Sequence, residues 1–161
     1  VSLEFYTIGV YGSTEKSFFD KLVANQIDTF CDIRNRRGVR GSKYGYVNSK
    51  KLQQKLQEIN IKYLHILDLS PSKEIRALQK QADKESGVLK SERTQLGSVF
   101  RAEYSSRVLN KFDFNKFIDL LKQNNSRKIV LFCVEQEATA CHRSIVAEKI
   151  ATDLKLPIKH L

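Results

Sequence analysis

Residues 128–154 read KIVLFCVEQEATACHRSIVAEKIATDL, and this stretch decides the fold. It opens on an unbroken apolar run, Ile129-Val130-Leu131-Phe132-Cys133-Val134. The run is too short for a buried helix and rich in β-branched and aromatic residues. It predicts a strand covered on both faces, as inside a parallel sheet. A polar turn is expected over residues 135–138, after which Thr139-Ala140-Cys141-His142-Arg143 leads into a helix. Along that helix Arg143, Ala147, Ile150 and Leu154 share one face, because spacings of three and four residues do so. Strand, turn and helix set the helix N-terminus beside the carboxyl end of the sheet, where open α/β sheets bind ligands. Arg143 lies on the sheet-facing stripe, and a cation there needs a carboxylate or an anionic ligand.

Upstream, residues 4–10 (EFYTIGV) predict a first strand. Ser13 or Thr14 caps a helix whose apolar stripe is Phe18, Phe19, Leu22 and Val23, and Asn25 stops it. Residues 27–33 (IDTFCDI) predict a second strand ending at Asp32. Strand, helix and strand within about thirty residues have the length of a βαβ unit. Asn48 is expected to cap a helix bearing Leu52, Leu56 and Ile59. A strand over 61–67 would place Tyr63, His65 and Leu67 on one face. The 70–110 region, with a stripe of Ile75, Leu78 and Ala82 and another of Leu96, Phe100, Tyr104 and Val108, predicts a helical insertion. Asp113 caps a helix with Phe114, Phe117, Ile118 and Leu121 inward, and residues 157–161 predict a last short strand. The fold class is α/β: a mostly parallel sheet of about five strands flanked by helices, in one domain over 1–161.

The chain has 161 residues, a formal charge of +10 and a pI near 9.6. That bias favours an anionic partner: nucleotide, phosphate or nucleic acid. No apolar run approaches the roughly 20 residues of a membrane-spanning helix. No charged segment followed by an apolar stretch marks a signal peptide, and three cysteines do not make a disulfide scaffold. The expected location is cytoplasmic, with no membrane partner and no cofactor.

Residues 34–46, RNRRGVRGSKYGY, leave the carboxyl end of the second strand. Arg34, Arg36, Arg37, Arg40 and Lys43 can hold phosphate, the glycines permit close backbone approach, and Tyr44 and Tyr46 can stack on bases. The alternative is a solvated connector with scattered charge. Arg143 with Asp32 and Glu135 reads either as a clamp and general base around a ligand or as an ion-pair lock between two βα units. His65 and His142 are candidate acids; a residue placed like His65 is more often hydrogen-bonded and partly buried than catalytic. Cys141, near a helix N-terminus, could serve as a thiolate. The balance favours a packing role for it, because no arginine stands at the spacing a cysteine phosphatase needs. Cys133, Cys141 and His142 lack zinc-motif spacing, so no metal is expected.

Taken together, Thr7-Ile8-Gly9, Asp32-Ile33-Arg34, Tyr63-Leu64-His65, Phe132-Cys133-Val134-Glu135 with Cys141-His142-Arg143, and His160 form an ordered set. The set resembles the family called domain of unknown function 488, which carries "TIG", "DVR", "Y-x-H", "C-x-E" and "CHR" in this order. Val10 and Tyr11 stand where family members often have His and Ser. Leu67-Asp68-Leu69-Ser70-Pro71 stands where they tend to have a glycine pair. The resemblance implies an α/β fold with Asp32, Arg34, His65, Glu135, Cys141, His142 and Arg143 near one edge, and it brings no established reaction.

Overall fold

The computed structural model describes residues 2–90, 92–135 and 140–161. Five strands form one all-parallel sheet: β1 (Glu4–Ile8), β2 (Thr29–Asp32), β3 (Lys62–His65), β4 (Lys128–Phe132) and β5 (Ile158–His160). Their order is β3-β2-β4-β1-β5. The stretch that decided the fold is therefore the central strand. Every residue of β4 after Lys128 is buried, as a strand covered on both faces must be. The β1 and β2 strands do not pair with each other; β4 lies between them, in register Tyr6↔Val130 and Phe30↔Val130.

Among the described residues six α-helices cover the sheet: α1 (Glu15–Ala24), α2 (Ser49–Glu58), α3 (Lys73–Ser86), α4 (Ser98–Arg107), α5 (Phe114–Gln123) and α6 (His142–Leu154). Right-handed crossovers send α1 and α2 to one face and α3 to α6 to the other. Two contacts agree with this division: Lys55 of α2 sits over the Phe19 ring of α1, and α4 packs against α6. The chain leaves β1 in one direction and β4 in the opposite one. It likewise leaves β2 toward β3 and its neighbour β4 toward β5, so the carboxyl ends of β2 and β4 form a topological switch point.

Local chemistry explains the boundaries. Thr14 forms a capping box with Ser17, Ser72 caps α3 through Ile75 N, and Asp113 caps α5 through Lys116 N. Gly87 closes α3 in the left-handed conformation (φ 72°). Four expectations shift. Val23, expected on the apolar stripe of α1, is exposed, and only Phe18, Phe19 and Leu22 face inward. Asn48 sits at the α2 N-cap, but its side chain accepts from Val39 N at 2.7 Å and not from its own helix. Leu78 is exposed, and Gln79 takes the inward place on α3 by donating to Asp83 and accepting from Gly97 N. Leu67 falls in a 3-10 turn, so only Tyr63 and His65 share a face of β3. Beyond Glu135, the turn expected over 135–138 and Thr139 lie outside the described residues. No helix among the described residues is long and apolar enough to cross a membrane.

Candidate functional site

The carboxyl ends of β2, β4 and β1 carry two separate polar networks. In the first, the fully buried Asp32 accepts from Arg34 through its main-chain N (3.1 Å), Nε (2.9 Å) and Nη2 (2.8 Å). The Tyr63 hydroxyl adds a fourth bond at 2.7 Å. Arg34 also donates to Val47 O and lays its guanidinium 4.7 Å from the centre of the Phe132 ring. His65 Nε2 lies 2.7 Å from Arg34 O. Burial and the neighbouring Asp32 push the Tyr63 hydroxyl up to about 12. Asp32, Arg34 and His65 are thereby engaged with one another and with the start of the 34–46 loop. His65 also borders a surface groove lined by Arg107, Lys111 and Phe117.

The second network follows β4. Cys133 Sγ, Cys141 Sγ and a ring nitrogen of His142 all lie within 4.8 Å of one another, and all three residues are buried. Cys141 Sγ is 3.5 Å from His142 Nδ1, and Cys133 Sγ is 3.4 Å from Glu135 Oε2. His142 Nε2 reaches Ile33 O at 2.8 Å, and its ring packs 5.4 Å from that of Tyr104. Cys141 is the N-cap of α6, while Cys133 directly follows the central strand. A strand end and a helix start thus bring together residues whose chain spacing carries no motif.

Glu135 is 3% exposed, so its charge has to be matched. Arg93 matches it, donating to Glu135 Oε1 at 2.7 Å, to Asp83 at 2.6 Å and to Ala140 O at 3.0 Å. Lys90 stands 3.8 Å from the same Oε1 with its side chain 58% exposed. The helical insertion therefore supplies the cations that hold the acid of the β4 edge. Arg143, 1% exposed, donates through Nη1 to the main-chain oxygen of Glu135 at 2.7 Å. Gly9 makes this approach possible: a Cβ there would sit 1.8 Å from Glu135 O and 3.1 Å from Arg143 Nη1.

The charges in this cluster shift together. Burial disfavours a Cys133 thiolate, yet the hydrogen bond from Cys141 and the adjacent His142 bring its thiol well below the ordinary range. Burial and the Cys133 sulfur push Cys141 well up. His142 is raised, its burial penalty outweighed by Cys133. Burial, then Cys133, raises Glu135 against the pull of Lys90 and Arg93. For Lys90, burial lowers the ammonium, but Glu135 and Cys133 prevail and raise it. Of the two sulfurs, Cys133 is the one whose thiolate its neighbours favour.

The sequence model of the family described as Domain of unknown function DUF488 matches residues 14–150. The chain belongs to the DUF488 family. The match takes in both polar networks, from Asp32 to Arg143. Thr7-Ile8-Gly9 and His160 fall outside it, although Thr7 Oγ1 and His160 Nδ1 meet at 2.6 Å across β1 and β5. No curated protein and no solved structure matches the chain with significance.

Of the residues that the sequence singled out in this DUF488 chain, Glu135, Cys141, His142 and Arg143 come together around Cys133. Asp32, Arg34 and His65 form the neighbouring network. Arg143 does not bridge the two acids: Asp32 is held by Arg34, and Glu135 by Arg93. Arg36, Arg37, Arg40 and Lys43 stay on the 34–46 loop. That loop is fastened by Tyr44 to Gly12 N, by Tyr46 to Ser13, and by Asn48 to Val39 N. The two tyrosines are anchors, half-buried at their rings. Arg93, Lys90 and Tyr104 were missed, since residues 87–97 show no periodicity and Tyr104 reads as one more apolar position.

Proposed function

We propose that this DUF488 protein binds a phosphate-bearing ligand, a nucleotide or nucleic acid, at the carboxyl edge of its sheet, with the 34–46 loop as the anion-holding element. One contrast supports the reading. Arg34 and Arg143 are buried, Arg93 is partly buried, and all three are engaged with protein groups. Arg36, Arg37, Arg40 and Lys43, on a loop tied down at Gly12, Ser13 and Asn48, have no carboxylate partner among the described residues. Arg37 leans instead on the Tyr63 hydroxyl, and Lys43 sits 5.4 Å from the centre of the Tyr44 ring. A held loop loses less entropy on binding than a mobile one. Its guanidinium groups match phosphate in a two-pronged fork, and the net charge of +10 steers anions toward the molecule.

Hydrolysis or transfer at this edge would draw on Glu135 and His142, both buried beside the carboxyl end of β4. Asp32 and His65 would act through Arg34, as supports of the loop. Binding is tested with a labelled single-stranded oligonucleotide and, separately, with ATP, each across a salt series. Nucleic-acid binding should weaken steeply with salt, and each of Arg36→Ala, Arg40→Ala and Lys43→Ala should reduce the log–log slope by about 0.7. ATP binding without oligonucleotide binding would narrow the ligand to a nucleotide. Absence of both at low salt would end the proposal.

A further inference from the structure

We infer that Cys133, Cys141 and His142 form a three-ligand binding site for one divalent metal ion of the zinc class. The inference does not depend on phosphate binding at the loop. Zinc takes thiolate sulfur at about 2.3 Å and imidazole nitrogen at about 2.0 Å. Around a tetrahedral ion, those bond lengths set sulfur and nitrogen about 3.5 Å apart. Cys141 Sγ and His142 Nδ1 are 3.5 Å apart, and Cys133 Sγ completes the triangle within 4.8 Å. Glu135 Oε2 lies 3.4 Å from Cys133 Sγ but outside this cluster, so three protein ligands leave the fourth position of the ion open.

Two surrounding contacts point the same way. Metal-bound imidazoles use their second ring nitrogen to donate to a carbonyl or carboxylate, which orients the ring. His142 Nε2 does this to Ile33 O at 2.8 Å, leaving Nδ1 turned toward the sulfurs. A carboxylate next to a metal site has to be held in place as well. Arg93 and Lys90 hold Oε1 of Glu135 and leave Oε2 facing Cys133. The charges also close. As the ion binds, each thiol gives its proton to solvent. Two thiolates, a neutral imidazole and a divalent ion then sum to zero, and Glu135 adds one negative charge facing Arg93 and Lys90. Sequence spacing misses such a site because no knuckle is involved: one ligand ends a strand and two begin a helix.

The test uses the full chain, stripped with a chelator and kept reduced by a non-thiol reductant, titrated with Co²⁺ alone. One equivalent should give a thiolate-to-cobalt charge-transfer band and the visible bands of a tetrahedral ion, both abolished by added Zn²⁺. Cys133→Ser and Cys141→Ser should each weaken cobalt binding at least 100-fold, while Cys31→Ala should leave the spectrum unchanged. Zn²⁺ should also protect Cys133 and Cys141 of the wild-type protein from alkylation, a readout that needs no folded variant. A folded, reduced wild-type chain with no cobalt band and no protection overturns the site. So does a band that survives Cys133→Ser.

Discussion

His142 Nε2 lies 2.8 Å from the main-chain oxygen of Ile33, a contact that joins the first turn of α6 to the end of β2 across 109 residues of chain. It passes over the end of β4, so one side chain ties together three elements at the switch point. Because Nε2 meets a carbonyl, it carries the proton, and Nδ1 is left for the sulfurs. His142→Ala should cost about 1–3 kcal/mol, the penalty of a buried acceptor left without its donor. Urea unfolding measures it. An unchanged midpoint would mean that the contact contributes nothing.

Arg93 and Glu135 form a pair whose side chains are 8% and 4% exposed. Removing one member of a buried pair costs about 3–5 kcal/mol, because the other charge is left in a dry site. Arg93→Ala should therefore destabilise by about that much, offset in part by Lys90. Glu135→Gln on the Arg93→Ala background should recover a good part of the loss. A double-mutant cycle in urea reads both effects, and additive losses would contradict the pairing.

Gly9→Ala should be among the most damaging single substitutions. The added methyl meets a main-chain oxygen at 1.8 Å, and backbone cannot rotate aside as a side chain can. Crowding of this kind costs about 1–3 kcal/mol and occasionally more. Thermal unfolding should show it, together with faster alkylation of Cys133 as the turn after β4 is displaced. A variant with wild-type stability would show that the turn yields freely.

Tyr63 should titrate late. Its folded value is raised to about 12 by burial and by Asp32, against an ordinary value of 10. A raised value means that the folded state holds the proton more tightly. The resulting stability is complete below about pH 10 and is lost as pH climbs through 12. Ultraviolet tyrosinate absorbance should show a late-ionising group that Tyr63→Phe removes, and that variant should lose less stability between pH 10 and 12 than the wild type.

Much of this fold could be read from periodicity. The Ile129–Val134 run had only one comfortable place, the middle of a parallel sheet, and the caps at Thr14 and Asp113 fell where their side-chain chemistry put them. Strand order was less accessible, since nothing local in β1 or β2 says that β4 will lie between them. At the site, the Cys133, Glu135, Cys141 and His142 set was legible as residues but not as a constellation. Chain spacing describes ligands on one turn, whereas these come from a strand end and a helix start. Arg93 had no pattern to betray it: its partners Asp83 and Glu135 are 10 and 42 residues away. Asn48 was legible as a cap residue and misleading for the same reason, because its amide serves the 34–46 loop instead.

The proposed anion site on that loop is tested most directly by amide chemical shifts of the ¹⁵N-labelled chain during titration with ATP at low salt. Binding there should move the amides of residues 36–48 in a saturable way, and Arg36→Ala with Arg40→Ala should weaken the response about tenfold or more. Shifts confined to the groove beside His65, or no saturable shifts at millimolar ATP, would contradict it.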